Sequence, residues 1–253
     1  MLRIRVEYTL FWILIFKLSP LAPADITDQW VIWNIGQGQW VTHVTTETCR
    51  HYDVGGEIGR FAAIRKKLLT LCLHRENQIA LSHWDFDHYA HIPALVKSVP
   101  HVCWLSQPPV SEEKSTMRQI LQLGIKPCDD QNFFHVQRQT EMWRPTFSKT
   151  SNESSGVFQD GSFLLPGDSP ISQEKKWIRQ MTNLDEVRFL VLGHHGSRSS
   201  TGDELLWRLK NLKMTLASAR FAKYHHPHFL TVQRIKNRQV PLLRTEDWGN
   251  IFL

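Results

Sequence analysis

The stretch Ile79-Ala-Leu-Ser-His83-Trp-Asp85-Phe-Asp87-His88 decides how the rest of the chain is interpreted. Its apolar beginning predicts a buried strand, and the strand ends in two histidines and two aspartates. Imidazole and carboxylate groups are ligands for divalent cations. We therefore predict that His83 and Asp85 hold one cation, and that Asp87 and His88 hold a second one beside it. The alternative is a polar loop with coincidental histidines, which is disfavoured because further His and Asp clusters follow later strands.

Length and composition predict a folded chain of one large domain or two small ones. Of the 253 residues, 42% are apolar and ten are Trp, which is enough for a sizeable core and argues against disorder. The 30 Lys and Arg against 24 Asp and Glu give a formal charge of +6. This mild basic excess is compatible with a polyanionic partner but does not require one.

The N-terminus resembles a secretory signal peptide. Arg3 and Arg5 precede the apolar run Thr9–Phe16, and small residues follow before Asp25. The run is shorter than the roughly 20 residues that span a bilayer, so we expect export without stable membrane insertion. This interpretation makes residues 1–24 a signal peptide and residues 25–253 one domain. A first strand or a mis-assigned start remains the alternative.

The four cysteines lie at positions 49, 72, 103 and 128, and none forms a C-x-x-C pair. A zinc finger is therefore not expected. In an exported protein these residues can form up to two disulfides. Cys72 is flanked by leucines and Cys103 lies in an apolar run, so the simpler expectation for both is a buried thiol.

The order of elements predicts an α/β (α+β) fold, a four-layer αβ/βα sandwich. In each half of the chain, strands precede helices. Residues 58–74 have the spacing of an amphipathic helix, and Gln159-Asp160-Gly161 reads as a hairpin turn. Two central sheets with a helical layer outside each would satisfy this pattern. Such a sandwich collects its strand ends, and with them the His and Asp clusters, along one edge.

Two later strand ends add candidate ligands. Asp168 follows the strand Ser162–Leu165 and the turn residues Pro166-Gly167, where it can bridge two cations, although it can also serve as a helix N-cap. His195 is the natural sixth ligand, and His194 can reach a substrate oxygen. An exposed polar turn is the alternative for this His pair.

A further polar segment, Tyr224-His-His226-Pro-His228, precedes a helix. His226 or His228 can protonate a leaving oxygen, unless they are loop histidines packed by Pro227. A pair of cations about 3.5–4 Å apart lowers the pKa of a bridging water, and the hydroxide can attack phosphorus or a carbonyl carbon. The candidate residues fall into two sets. The catalytic set is Asp87, His194 and His226, and the metal-ligand set is His83, Asp85, Asp87, His88, Asp168 and His195.

The pattern His83-x-Asp85-x-Asp87-His88 resembles the metal motif of the metallo-β-lactamase superfamily, with Asp85 at the position of the usual second His. This variant is typical of the branch similar to the C-terminal hydrolase domain of ComEC-type DNA-uptake proteins. Further segments resemble that branch in order across residues 31–252. They are Asn34–Gln39, Tyr52–Gly55, Asn152–Ser155, Phe163–Asp168, Leu192–Ser197, Tyr224–His228 and Arg244–Gly249.

The resemblance implies a stand-alone hydrolase module, without the family's membrane channel, that uses two divalent ions, zinc or manganese, to cut DNA as a phosphodiesterase. Asn152, Ser197 and His228 become the candidate substrate-binding residues. Asn34 and Gln39 replace two acidic residues of the family pattern, which can alter site charge or activity. Two alternatives stay open, namely hydrolysis of a smaller phosphodiester such as a phosphorylcholine ester, and nucleic-acid binding without cleavage. Metal identity and oligomeric state stay open as well.

Overall fold

The computed structural model describes residues 28–110, 115–129 and 140–253. The proposed signal peptide, residues 1–24, lies outside the described residues. Within the described ranges, no helix is both long enough and apolar enough to cross a membrane.

The first sheet has seven strands in the order β13-β1-β2-β3-β4-β5-β6. Strands β1 to β3 and β13 pair antiparallel, whereas β3 to β6 run parallel to one another. The strands have these bounds: β1 Asp28–Ile32, β2 Val41–Thr45, β3 Thr48–Tyr52, β4 Glu76–Ala80, β5 Val102–Ser106, β6 Lys126–Pro127 and β13 Ile251–Phe252.

The second sheet has six strands in the order β12-β11-β10-β9-β8-β7. Strands β7 to β9 form an antiparallel meander, and β9 to β12 are parallel. Their bounds are β7 Thr140–Trp143, β8 Val157–Asp160, β9 Phe163–Leu165, β10 Phe189–Val191, β11 Met214–Ala217 and β12 Leu242–Arg244.

Helices cover the outer face of each sheet. Those of the first half are α1 Phe61–Cys72, α2 Phe86–Tyr89, α3 Ile92–Ser98 and α4 Ser115–Leu121. Those of the second half are α5 Ile171–Gln180, α6 Asp203–Arg208, α7 Phe221–Tyr224, α8 Phe229–Asn237 and α9 Thr245–Trp248.

Three apolar layers separate the four layers of secondary structure. Alternation along β1 shows how they arise, because successive side chains of a strand point to opposite faces. Trp30 and Ile32 pack between the two sheets, whereas Val31 packs under the helices of the first half. On β10, Leu190 packs under the helices of the second half, and Val191 packs between the sheets. The predicted four-layer sandwich is confirmed.

Two disulfides correct the expectation of buried thiols. Cys49 of β3 is bonded to Cys72 at the end of α1, and Cys103 of β5 is bonded to Cys128. The Cα atoms are 5.8 and 4.9 Å apart, within the range that a disulfide bridges. The sequence alone does not predict this pairing, because each disulfide joins residues more than 20 positions apart. Only the packing of neighbouring elements brings them together.

Parallel strands place the candidate residues on one edge. The carboxyl ends of β3 and β4 lead to Asp53 and His83, and those of β9 and β10 lead to Asp168 and His194. In an open α/β sheet this edge is where ligands bind. The two sheets therefore present their polar strand ends to a common space.

Candidate metal centre

The segment from His83 to His88 is held in place by close contact with two glycine-containing turns. The carbonyl oxygen of Asp87 accepts hydrogen bonds from the backbone N–H groups of Gln39 and Gly56, at 3.1 and 3.0 Å. A Cβ atom added to Gly55 would overlap this same carbonyl group. Only glycine therefore lets the Gly55 turn lie against the backbone of Asp87, and this contact fixes where the Asp87 side chain starts.

A first group of ligand atoms faces one oxygen of Asp168. His83 Nε2 lies 3.3 Å from Asp85 Oδ2 and 3.8 Å from Asp168 Oδ2. His194 Nε2 lies 3.5 Å from the same Asp168 oxygen. Ligands on one zinc ion, each about 2.0–2.2 Å from the metal, are separated by roughly 3–3.5 Å from each other. Two of these three separations fall in that range, and the ligand atoms of His83, His88 and Asp168 lie within 4.8 Å of one another, so the cluster is compatible with a bound cation.

A second group faces the other oxygen of Asp168. His88 Nε2 lies 3.1 Å from Asp168 Oδ1, and His195 Nε2 lies 3.8 Å from it. His195 Nε2 is also 3.1 Å from Asp87 Oδ2. Each oxygen of Asp168 thus faces a different group of ligand atoms.

Three of the ligand atoms are buried without hydrogen-bond partners, and this fits a metal. His83 Nε2, His88 Nε2 and Asp168 Oδ1 make no hydrogen bond within the part of the chain that the structure describes. Buried polar atoms are normally satisfied, since leaving one unpaired costs about 1–3 kcal/mol. Cations at this centre would satisfy all three atoms at once. The residues present therefore fit the divalent ions that this arrangement implies.

Asp53 orients the ring of His88. Its Oδ2 accepts a hydrogen bond from His88 Nδ1 at 2.7 Å, so the opposite ring nitrogen faces Asp168. Ser82 donates to both Asp53 oxygens, through its backbone N–H and its hydroxyl. A carboxylate behind a ligating imidazole is a common support of metal sites because it fixes the ring's tautomer and direction.

Gln39 contributes to the same support. Its amide nitrogen donates to Asp53 Oδ2 at 2.9 Å, so this departure from the family pattern adds a donor to a buried carboxylate. At the other departure, Asn34, the backbone N–H donates a hydrogen bond to Asn250 Oδ1 at 2.8 Å. This bond links the segment to a residue near the C-terminus.

The charges at the centre shift the pKa values of its members. Burial alone would raise the pKa of Asp168, but the nearby imidazoles, His88 first, outweigh burial and hold this pKa well below its ordinary value. Burial alone would lower the pKa of His88, but the carboxylates of Asp168 and Asp53 prevail and raise it. The centre therefore keeps the carboxylate of Asp168 ionised beside a positively charged His88 ring, and a divalent cation can take the place of that charge.

The loop between β10 and α6 presents its two histidines through unusual backbone angles. His194 and His195 have φ values of 49° and 55°, in the left-handed region. His195 Nδ1 lies 3.1 Å from the Ser218 carbonyl, which leaves Nε2 to face Asp87 and Asp168. Asn152 Nδ2 lies 3.3 Å from His194 Nδ1, so Asn152 contacts the His194 ring on the nitrogen opposite the one that faces Asp168.

His226 lies at the rim of the centre. Its ring centroid is 5.9 Å from that of His194, and Gln37 Nε2 lies 3.2 Å from its Nδ1. Because the Gln37 amide nitrogen can only donate, His226 Nδ1 accepts and Nε2 carries the proton. Burial, followed by the nearby imidazoles, lowers the pKa of His226 to about 4, so the ring is neutral at neutral pH.

Ser197 and His228 make their side-chain hydrogen bonds outside the ligand group. The hydroxyl of Ser197 is 3.0 Å from that of Ser199, within its own loop. His228 Nδ1 accepts from the backbone N–H of Leu230 at 3.3 Å and caps α8. Neither side chain contacts a candidate ligand in the part of the chain that the structure describes. Asn152, the third residue predicted to bind substrate, does adjoin the centre through His194.

Sequence reasoning did not assign His194 to the first ligand group or give Asp53 a role beyond its turn. For Asp53, the useful signal was an acidic residue directly after a buried strand. The pair His194-His195 also follows a strand, but the sequence could not show that both rings face one carboxylate, because the backbone angles that direct them are set by the folded loop.

No protein-family model matches the chain. Among curated relatives, it is 25% identical over 225 residues to competence protein ComA of Neisseria gonorrhoeae, covering 86% of this chain and 31% of the relative. It is 31% identical over 90 residues to ComE operon protein 3 of Bacillus subtilis, covering 36% of this chain and 12% of the relative. The chain therefore spans less than a third of the length of either relative.

Two solved structures have similar architecture. The metallo-β-lactamase fold protein YhfI of Bacillus subtilis matches with a TM-score of 0.56 and 11% identity, over 89% of this chain and 99% of that one. A diphosphatase from the PhnP family matches with a TM-score of 0.50 and 10% identity, over 89% and 97%. The chain thus has the metallo-β-lactamase fold. Its curated relatives are competence proteins, in agreement with the resemblance found in the sequence.

Proposed function

We propose that the protein is a metal-dependent phosphodiesterase that hydrolyses DNA. The observation that carries the proposal is the convergence of three buried, unpaired ligand atoms, from His83, His88 and Asp168, at the edge where both sheets end. Hydrogen bonding within the protein does not explain this arrangement. Cation binding does, and the fold is one in which divalent ions are the expected cofactors.

Two ions, zinc or manganese, would be held by two sets of residues that share Asp168. The first set is His83, Asp85 and His194, and the second is Asp87, His88 and His195. Such ions, when bound, lower the pKa of a coordinated water and stabilise negative charge on a phosphoryl oxygen.

The side chains around these sets supply orientation and proton handling. Asp87 is more exposed than Asp168, so its carboxylate can accept a hydrogen bond from a water molecule at the centre. His226 carries a proton on Nε2 at the rim and can donate a hydrogen bond to a phosphate oxygen. Asn152 contacts the ring of His194 beside the first set.

Three observations favour DNA as the substrate. The curated relatives are competence proteins, the chain has a formal charge of +6, and one structural neighbour is a diphosphatase, an enzyme that acts on phosphate esters or anhydrides. Export of the protein is part of the proposal. Two disulfides support it, because disulfides persist mainly in oxidising compartments.

The test is hydrolysis with added metal. The full chain is incubated with single-stranded or linear duplex DNA, and separately with bis-p-nitrophenyl phosphate, in Mn²⁺ or Zn²⁺. We expect both to be hydrolysed, and we expect His83→Ala and Asp168→Asn to abolish both reactions. If the small ester is hydrolysed while the DNA stays intact, the substrate is a smaller phosphodiester and not DNA. Bound but uncut DNA, with no ester turnover in either metal, would contradict a hydrolytic function.

A further inference from the structure

A groove adjoins the ligand segment at Trp84, the residue between His83 and Asp85. It has a volume of about 600 Å³, and Trp84 forms part of its wall. Phe147 and Lys149 also line it. Phe147 is 74% exposed, and Lys149 is exposed as well. We call this cavity the Phe147 groove.

A second groove begins at the histidine rim of the centre. It has a volume of about 570 Å³ and is lined by Phe221, Pro227, Phe229 and Lys236, among others. Pro227 directly follows His226, whose ring adjoins His194. Phe229 is 68% exposed. We call this cavity the Phe229 groove. Each groove therefore contains a residue that is adjacent in the chain to a residue of the centre, Trp84 next to His83 and Pro227 next to His226.

The two grooves share a charge pattern. The described residues that line them include Arg144 and Lys149 in one and Lys236 and Arg244 in the other, and no described lining residue is Asp or Glu. Arg144 is committed to backbone carbonyls and Arg244 to Asp247, so the two lysines supply the available positive charge. Walls whose described charges are positive, next to a metal centre, suit a polyanion that crosses it.

The cavity at the far edge of the sandwich differs in this respect. Its volume is about 540 Å³, and its walls mix both signs of charge. Asp28, Asp160 and Glu186 line it together with Arg50 and Arg188. Charge of one sign is therefore a property of the grooves beside the metal centre and does not extend to this other cavity.

Exposed aromatic rings accompany the lysines. Phe147 and Phe229 stand in the two grooves, and Phe86, which is 44% exposed, lies between the ligands Asp85 and Asp87. A ring beside a cation is the usual platform for single-stranded nucleic acid, because a base stacks on the ring while its phosphate meets the charge. The bases of a duplex are already stacked on each other and cannot use such rings in this way.

We propose that a single strand of nucleic acid crosses the metal centre, with one phosphate at the ligands and flanking bases stacked on Phe147 and Phe229. This inference rests on the proposed function and specifies its substrate as single-stranded. Lys149 and Lys236 meet phosphates on the two sides.

The test measures binding without catalysis. Fluorescence anisotropy of a labelled 20-nucleotide oligo-dT is recorded with the full chain in EDTA, so that every variant shares the same metal-free centre. We expect Phe147→Ala and Phe229→Ala each to weaken binding about 10-fold, because stacking contributes about 1–3 kcal/mol per base. The double variant loses more than either single one. A duplex of the same length binds more weakly than the single strand.

Trp207→Ala is the matched control. Trp207 is 63% exposed and lies on α6, where the Arg238 guanidinium sits 5.1 Å from its ring centre, and it lines neither groove. We expect this variant to bind oligo-dT like the unchanged protein. Equal affinity of all the variants, an equal loss in Trp207→Ala, or tighter binding of duplex would overturn the proposal. Unfolding midpoints that match across the set show that the variants are folded.

Failure of this inference can be told apart from failure of the proposed function. Suppose that the ester is hydrolysed with metal, but that oligo-dT affinity does not change in Phe147→Ala and Phe229→Ala. The proposed single-strand path would then be wrong, and the proposed hydrolase function would stand. If binding of the strand depends on Phe147 and Phe229, but nothing is hydrolysed in Mn²⁺ or Zn²⁺, the proposed phosphodiesterase function would be wrong and the single-strand path would stand.

Discussion

At the edge opposite the candidate metal centre, His43 lies between two carboxylates, much as His83 and His88 do at the centre itself. His43 Nδ1 is 2.7 Å from Asp160 Oδ2, and His43 Nε2 is 2.7 Å from Asp28 Oδ1. The hydroxyl of Tyr52 donates to Asp160 at 2.7 Å as well. Both nitrogens of this ring are therefore paired, so the group is complete as it stands.

The metal edge has the same residue types in a different state. Three of its ligand atoms, His83 Nε2, His88 Nε2 and Asp168 Oδ1, have no hydrogen-bond partner among the described residues. The difference teaches that a His and Asp cluster by itself does not define a metal site. Unpaired ligand atoms that face a common point are the distinguishing feature. The two edges should accordingly respond to mutation in opposite ways.

The largest expected effect is the loss of metal binding in Asp168→Asn. The unchanged protein should gain about 4 kcal/mol of stability when Mn²⁺ or Zn²⁺ is present at a thousand times its dissociation constant. The variant should gain almost nothing, because the amide cannot bridge two ions. Thermal unfolding with and without metal measures this gain. A metal-induced stabilisation of equal size in the variant would contradict the assignment of Asp168.

The reverse result is expected for Asp160→Ala at the opposite edge. Removing this buried carboxylate leaves His43 and Tyr52 without their acceptor and costs about 3–5 kcal/mol of folding free energy. Urea unfolding measures the cost. Metal-induced stabilisation and hydrolysis by the folded fraction should be retained. If hydrolysis were lost while the fold survived, the two edges would not be independent.

A smaller effect, dependent on pH, is expected from Glu174, which supports the histidine loop at the metal edge. Its carboxylate accepts from the backbone N–H groups of Thr201 and Gly202, and Thr201 Oγ1 in turn accepts from Gly193 N–H. Burial raises the pKa of Glu174 from 4.5 to about 7, although these backbone hydrogen bonds oppose the rise. The folded state therefore holds this proton more tightly than the unfolded state.

The stabilisation from this tighter proton binding is fully present below about pH 4.5 and is lost as the pH rises through about 7. The loss amounts to roughly 3 kcal/mol, since one pKa unit corresponds to about 1.4 kcal/mol. Chemical unfolding of the metal-free protein at pH 5 and pH 8 measures it. In Glu174→Gln the corresponding difference should shrink, whereas an unchanged difference would assign the pH dependence to other groups.

The smallest expected effect tests the contact beneath the ligand segment. Gly55→Ala places a methyl group against the carbonyl of Asp87 and should shift Asp87 and His88, weakening metal affinity about 10- to 100-fold, as changes behind the ligands do. Metal titration measures the affinity. Gly124→Ala is the control, because the space around Gly124 is open although its φ is +65°. Equal affinities in the two variants would argue against a steric support.

Much of the fold could be predicted from the sequence because its strands and helices have clear periods. The predicted helix at residues 58–74 shows the limit, since α1 begins at Phe61 and Ile58 is 82% exposed. Gly59 has a φ of +87°, which ends the regular backbone before the helix begins. Apolar spacing alone did not reveal that break.

The candidate site, too, could be predicted from the sequence only in part. The structure brings His83, Asp85, Asp87, His88, Asp168 and His195 close together, and their role as metal ligands stays a proposal. The residues behind them were less accessible to prediction, because Asp53 and Gln39 act through contacts between distant segments. Likewise, Ser197 and His228 lie in a segment similar to the family's, yet their side chains are used within the loop and as a helix cap.

The most direct test of the account is the position of bound metal, measured by anomalous X-ray scattering from crystals grown with Mn²⁺. The account predicts two peaks, one among His83, Asp85 and His194 and the other among Asp87, His88 and His195, with Asp168 between them. A fully occupied peak elsewhere, or ordered side chains at this edge with no peak beside Asp168, would contradict it.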